Sequence, residues 1–299
     1  MTSIWTVLSL LNWAAPYLEK YGSTSPRLDA ELLLAKVLAC QRLELYLRFD
    51  KPLATAELAS FKKLILERRQ GVPVAYLLGE KEFWSLTFKV TPEVLVPRPE
   101  TEHLVEEAID FLEKKFPVGC RVLDLGTGCG NIILSLAHHF SGPAGFSWFG
   151  IDSRPAALAV AADNAQQLEI EAVSWLTSDL FAALEPPENF SFGLVVANPP
   201  YIVSAELASL PPEVQREPVA ALDGGPDGLE FYRRIAASAR DFLAPGGGLI
   251  FEVGDGQAED VKKILASNGY SAISGRFDLA RCERVVMGVS EPSSALGRQ

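Results

Sequence analysis

A mostly apolar run, Phe192-Gly193-Leu194-Val195-Val196-Ala197, is cut off abruptly by Asn198-Pro199-Pro200-Tyr201. The run reads as a buried strand. Its end is more constrained than its body. Two successive prolines have a fixed φ and no N–H, so the ladder cannot continue and the carbonyls of Asn198 and Pro199 are held rigidly outward. Acceptors held still suit an amide donor. A planar NH2 group has two hydrogens, and this stretch offers a side-chain carbonyl on Asn198, a backbone carbonyl beside it, and Tyr201 to stack on the flat group. Read alone, the same stretch is a strand ending in a proline-rich turn, and the rest of the chain has to decide between the two.

Beyond Val96 the sequence alternates between two patterns. Strand candidates lie at 121–125, 146–151, 173–176, 192–197, 248–253, 271–277 and 284–289, with helical stretches at 132–139, 155–168, 229–243 and 257–267. Such alternation implies an α/β fold with a mostly parallel sheet and helices on both faces. The last two strands have only a short connection, residues 278–283, and should be antiparallel. Ahead of this region the apolar positions recur at helical spacing, as in Val7, Leu8, Leu11 and Leu18. Ser25-Pro26 and Thr55 mark helix starts, and Gly22 and Gly71 mark stops. The expected organisation is a helical bundle over 1–82, a β-hairpin linker over 83–97, the α/β domain over 98–289 and a disordered tail over 290–299.

No apolar run approaches the roughly 20 residues that span a bilayer, and the segment Met1 to Leu11 has neither a basic start nor a small-residue cleavage site. A cytoplasmic protein is expected. Cys40, Cys120, Cys129 and Cys282, like His103, His138 and His139, lack the spacing of a metal site. Charge is unevenly divided: of the net -11, residues 1–84 carry +2 and residues 85–299 carry -13. An acidic second part disfavours long duplex nucleic acid, whose binding requires neutralised phosphates.

Val122-Leu123-Asp124-Leu125-Gly126-Thr127-Gly128-Cys129-Gly130 is a strand, a tight glycine-rich turn and a helix start, which lets backbone approach a ligand at a strand's carboxyl end. The carboxylate of Asp124, expected at the lip of the turn, would repel a dinucleotide's pyrophosphate and attract the ammonium of a methionine-type ligand. That points to S-adenosylmethionine. Asp152 ends the next strand, placed to accept both ribose hydroxyls, and Asp179 follows the third, near an adenine edge. Either aspartate alone could instead be a helix N-cap.

With these residues in hand, the chain resembles the protein-(glutamine-N5) methyltransferases that modify class 1 peptide chain release factors. The similarity runs through Arg27-Leu28-Asp29-Ala30-Glu31-Leu32-Leu33, Ala75 to Gly79, Glu82-Phe83-Trp84, Val96 to Glu102, the glycine loop, Asn198 to Tyr201, and Glu217 through Gly228. It implies a seven-stranded Rossmann-like methyltransferase sheet, mostly parallel with the last strand antiparallel, and a helical domain that recognises the release factor. It also implies cofactor contacts from Gly126, Thr127, Gly128, Cys129, Gly130, Asp152, Leu180 and Asn198, and catalysis by Asn198, Pro199 and Tyr201, with Pro200 completing the glutamine site. A monomer is expected. Leu180 stands where many relatives have Trp, Arg281 where Gly is usual, and Cys129 where Ser or Thr is common. The competing readings are a sister enzyme that methylates a glutamine of a large-subunit ribosomal protein, an adenine-N6 DNA methyltransferase, and a non-catalytic module that docks on translation factors. The -13 charge disfavours the DNA enzyme, and the intact amide clamp disfavours the pure binder.

Overall fold

The structure is a computed structural model that describes residues 4–142, 145–185 and 191–291. The chain divides into two units, Met1–Lys81 with Leu210–Arg216, and Glu82–Ser209 with Glu217–Gln299.

The first unit contains α1 (Val7–Lys20), α2 (Pro26–Val37), a 3-10 turn over Arg42–Arg48, α3 (Thr55–Arg69) and α4 (Val74–Leu78). Helix α1 starts where Thr6 caps it: the Ser9 N–H donates to the Thr6 hydroxyl, and the Thr6 N–H donates back to the Ser9 hydroxyl at 2.8 Å. Its inward stripe of Val7, Leu10, Leu11, Ala14 and Leu18 meets Leu33 and Leu34 of α2 and Phe61 and Ile65 of α3. The acidic residues of α2, Asp29 and Glu31, also face inward. Arg68 Nε donates to Asp29 at 2.7 Å, and Glu31 accepts from Arg27, Arg42 and Tyr46. Burial pushes the Glu31 carboxyl up, but these hydrogen bonds outweigh it and leave the group below its ordinary value. The run Arg27 to Leu33 therefore spells out an internal ion network, in which removing one partner strands a buried charge.

The hairpin is shorter and earlier than 83–97. It consists of β1 (Glu80–Phe83) and β2 (Leu86–Lys89), joined by Trp84-Ser85, whose φ values are 53° and 58°. Two left-handed residues make a two-residue turn that matches the strand twist. The turn sits at Trp84, so the first strand ends at Phe83 rather than beginning there.

The second unit continues with α5 (Glu102–Lys115), β3 (Arg121–Leu125), α6 (Asn131–His139), β4 (Ser147–Asp152), α7 (Pro155–Gln167), β5 (Val173–Thr177), β6 (Phe192–Ala197), α8 (Glu230–Ala239), β7 (Leu243–Glu252), α9 (Ala258–Ser267), β8 (Tyr270–Phe277) and β9 (Glu283–Ser290). Its seven strands are ordered β5-β4-β3-β6-β7-β9-β8. Strand β9 alone runs against the other six strands, as the short 278–283 connection implies. Alternate residues of the central strands enter opposite cores. Leu123, Val195, Ala197 and Phe251 pack with Tyr232 and Ile235 on one face, and Val122, Leu194, Val196 and Ile250 with Leu104 and Ile133 on the other. Each large side chain so buried contributes roughly 1.5–3 kcal/mol.

Two boundaries differ from the sequence reading. Strand β7 starts at Leu243 because that residue pairs with Phe192 ahead of an irregularity, so α8 ends at Ala239. Strand β9 runs to Ser290, and its pairing with Tyr270 removes the first residue of the expected tail; 292–299 lie outside the described residues. Among the described residues no helix is long and apolar enough to cross a membrane, and no His/Cys/Asp/Glu group could hold a metal ion. Strand order reverses between β3 and β6, which is where an open α/β sheet leaves a crevice at its carboxyl ends.

Candidate active site

A cavity of about 700 Å³ fills that crevice. Its wall includes Leu125 at the end of β3 with Gly126 and Gly128 after it, Asp152 at the end of β4, Asp179 and Leu180 after β5, and Asn198, Pro199 and Pro200 after β6. Residues that the sequence disperses over some 75 positions meet because each follows a parallel strand.

The glycine turn is anchored to the next strand. Gly126 N–H and Thr127 N–H both donate to the Ile151 carbonyl at 2.8 and 2.9 Å, and Gly128 N–H donates to Asp152 Oδ2 at 3.0 Å. Gly126, Gly128 and Gly130 have φ of 73°, 55° and 83°, a region closed to most side chains. Asp152 Oδ1 accepts from Arg154 N–H at 2.9 Å. It does not cap a helix, since α7 opens on Pro155 with Arg154 at the cap position. Each carboxylate oxygen thus spends one acceptor on the backbone and keeps others for the cavity that Asp152 lines.

Asp124 is not at the lip of the turn. It lies behind the turn, fully buried, because the Thr127 hydroxyl folds back to donate to its Oδ2 at 2.7 Å. Its Oδ1 is buried without a hydrogen-bond partner among the described residues. Burial, only partly offset by hydrogen bonds from the Thr127 hydroxyl and the Ile133 N–H, pushes its carboxyl up to about 7. Thr127, Cys129 and Gly130 are likewise behind the wall rather than in it. The Cys129 thiol is pushed up to about 12 by burial and acts as a small apolar filler.

At the far end, Asp179 receives Arg234 at 2.6 Å, and that guanidinium lies 5.5 Å from the Phe231 ring centroid. Phe231, Arg234 and Leu180 all line the cavity, so α8 supplies an aromatic wall that the β5 end lacks. Sequence reasoning missed both α8 residues.

The Asn198 end is built from more elements than its motif shows. Asn198 Nδ2 donates to the Thr101 hydroxyl at 3.3 Å. Ala197 pairs with Phe251, so Asn198 and Glu252 follow side by side on neighbouring parallel strands. The buried Glu252 carboxyl is pushed up to about 7 by burial, against the hydrogen bonds of Thr101 and Asn198. Tyr201 lies outside the cavity wall, half-buried against the core, its phenol pushed up to about 12 by burial and then by the charge of Glu252. Its carbonyl accepts from Gln257 Nε2 at 3.0 Å. Gly224 passes so close that a Cβ there would meet the Tyr201 Cα at 2.7 Å. Thr101, Gly224, Glu252 and Gln257 thus support the turn. The one legible signal for Glu252 was an acid closing the apolar run from Leu249.

A family described as the PrmC N-terminal domain matches residues 9–79, and one described as a methyltransferase domain matches residues 117–291. A release factor glutamine methyltransferase of Geobacter sulfurreducens is 41% identical over 286 residues, covering 95% of this chain and 97% of that protein. One from Vibrio cholerae is 41% identical over 283 residues, covering 95% and 96%. Among solved structures, a human methyltransferase 10 domain containing protein superposes with a TM-score of 0.51 at 17% identity, over 69% of this chain and 89% of that one, a likeness of fold alone.

Proposed function

This chain belongs to the release factor glutamine methyltransferases, and from that premise we propose that it transfers a methyl group from S-adenosylmethionine to the side-chain nitrogen, N5, of the glutamine in the Gly-Gly-Gln loop of class 1 peptide chain release factors. The observation that carries this reading is the orientation of Asn198. Its NH2 is held by Thr101, so its carbonyl is left for the cavity, at the head of two prolines that fix the neighbouring backbone.

The residues present fit the methyl donor. The unpartnered Asp124 Oδ1 provides negative potential behind the glycine turn for an ammonium, Asp152 has acceptors to spare for two ribose hydroxyls, and Leu180 with Phe231 offers apolar walls for adenine. When bound, S-adenosylmethionine supplies a methyl group already activated as an electrophile. The chain therefore needs no nucleophile of its own. An amide nitrogen is unreactive because its lone pair is delocalised into the carbonyl. Asn198 and Pro199 would each hold one amide hydrogen, turning the nitrogen toward the methyl group, and orientation of this kind contributes up to about 7–11 kcal/mol. Tyr201, expected to stack on the amide, instead packs against the core beside the turn, where it would stay protonated, in keeping with its raised phenol, and brace the turn.

The first unit, mildly basic and without a glycine turn, would recognise the protein substrate, with the enzyme acting as a monomer in the cytoplasm. Transfer of labelled methyl groups to purified release factor tests the assignment, and a Gln-to-Ala change in the factor's loop should abolish labelling. Labelling of a large-subunit ribosomal protein in place of the release factor would overturn it. Asp152→Ala is expected to weaken S-adenosylhomocysteine binding by about 1.5–3 kcal/mol, the value of charged hydrogen bonds. Calorimetry showing unchanged affinity would remove Asp152 from the ribose site.

A further inference from the structure

We propose that Glu252 and Thr101 are positioning residues that set which face of the Asn198 amide meets the methyl acceptor. The inference rests on the reading of Asn198 as the acceptor of the substrate's amide hydrogen, and goes beyond it by asking what keeps the carbonyl, rather than the NH2, turned to the cavity.

Both ends of an Asn side chain are nearly the same size, so packing alone discriminates poorly between its two flips. Hydrogen-bond polarity decides. A carboxylate is acceptor-only, so Glu252 obliges the Thr101 hydroxyl to donate toward it. The Thr101 oxygen is then an acceptor toward Asn198, and the group found there is Nδ2 at 3.3 Å. The NH2 of Asn198 also favours the charged form of Glu252. The flipped amide would point its carbonyl at two acceptors and its NH2 at the substrate's own NH2.

The arrangement is costly to the fold. Glu252 is 3% exposed, and its Oε2 is buried without a partner among the described residues, a costly state to keep at a strand end. Thr101 is 2% exposed and comes from the 3-10 turn Pro99–Thr101, far from both strands in sequence. Around the carboxyl stand Glu100 on that turn, Arg284 on β9, Tyr201 after β6 and Tyr232 on α8, whose hydroxyl donates to the Glu252 carbonyl at 3.0 Å. With its carboxyl pushed up to about 7 by burial, Glu252 gains a proton within the neutral range. Protonated, it can donate, and the polarity that orients Asn198 is lost. Transfer should therefore fall on the acid side of an inflection set by Glu252.

Single-turnover methyl transfer tests this in Thr101→Val, Thr101→Ser and Glu252→Gln, each also combined with Asn198→Ala, alongside S-adenosylhomocysteine affinity and thermal unfolding. Thr101→Val and Glu252→Gln are expected to slow transfer roughly tenfold or more with affinity for S-adenosylhomocysteine changed less than about twofold, and Thr101→Ser to recover most of the rate. Glu252→Gln should also lose the acid inflection. In the Asn198→Ala background, Thr101→Val should cost nothing further. If Thr101→Val transfers at the unmodified rate while Asn198→Ala is slow, the positioning role fails and the amide clamp stands. An equal additional loss in the Asn198→Ala background would also overturn the proposal, since Thr101 would then act on something else. If Asn198→Ala itself is unimpaired, the underlying reading fails first.

Discussion

Asn198→Ala is expected to slow methyl transfer by two decades or more, on the order of 3 kcal/mol in the barrier, in a protein that still folds. The fold is insulated because the Asn198 side chain stands beyond the last residue of β6, in the cavity wall rather than in either core. The chemistry is not insulated. Pro199 and Pro200 have no N–H and a fixed φ, so the backbone cannot move a second carbonyl into the vacated place. One amide hydrogen of the substrate would then go unheld, and the nitrogen would no longer be aimed. Asn198→Asp is the sharper probe. It retains an acceptor but loses the NH2 that meets Thr101, and it sets a second carboxyl beside buried Glu252. Any charge it keeps stabilises the cationic ground state more than a transition state in which that charge is being dispersed, so transfer again slows. Single-turnover rates at saturating donor, with circular dichroism as the check on folding, decide the matter. An Asn198→Ala protein that transfers at the unmodified rate would reduce Asn198 to Tyr201 to a turn.

The parts of this site that could be read from the sequence are those whose cause is local. The glycine turn and the Asn198-Pro199-Pro200-Tyr201 stop each carry their geometry in consecutive residues, and the parallel sheet follows from alternation over the second unit. Asp152 was open to two readings, and only the start of α7 at Pro155, with Arg154 in the cap position, excludes the cap. What was not legible depends on register or on rare backbone states. Nothing in the sequence sets Glu252 beside Asn198 except the pairing of Ala197 with Phe251. Trp84 and Ser85 are not residues that signal a left-handed turn, so the hairpin was displaced. Asp124 was expected at the lip of the turn because its sequence position adjoins the glycines, whereas the Thr127 hydroxyl draws it into the interior. Gly224 was part of the resemblance without a reason, and the reason is the Tyr201 backbone.

The burial of Asp124 has a measurable consequence for the protein without ligand: its stability is expected to peak at about pH 4 and to decline toward about pH 8, and Asp124→Asn should remove about half of that decline. The folded-state carboxyl of Asp124 is raised by burial from 3.8 to about 7. Between those values the unfolded chain has released the proton and the folded one retains it, so stability is full below the lower value and is lost as pH rises through the window. At about 1.4 kcal/mol per pH unit the loss is on the order of 4 kcal/mol. Glu252, raised from 4.5 to about 7, acts with the same sign. Opposing groups work elsewhere on the scale. Asp223, Asp227 and Asp278 are lowered by hydrogen bonds from Ser204, Arg233 and Arg284, so their contribution is present above the ordinary carboxylate range and fades only below it. The maximum must therefore fall between the two sets. A cationic ammonium beside Asp124 Oδ1 would favour the ionised carboxyl, so S-adenosylhomocysteine should raise the unfolding temperature more at the alkaline end than at the acid end, and Asp124→Asn should erase that difference too. Thermal unfolding across this pH range, with and without S-adenosylhomocysteine, reads all of these effects. Parallel curves for Asp124→Asn and the unmodified protein would mean that Asp124 is already ionised in the free site and that the cost of its burial is met by other groups.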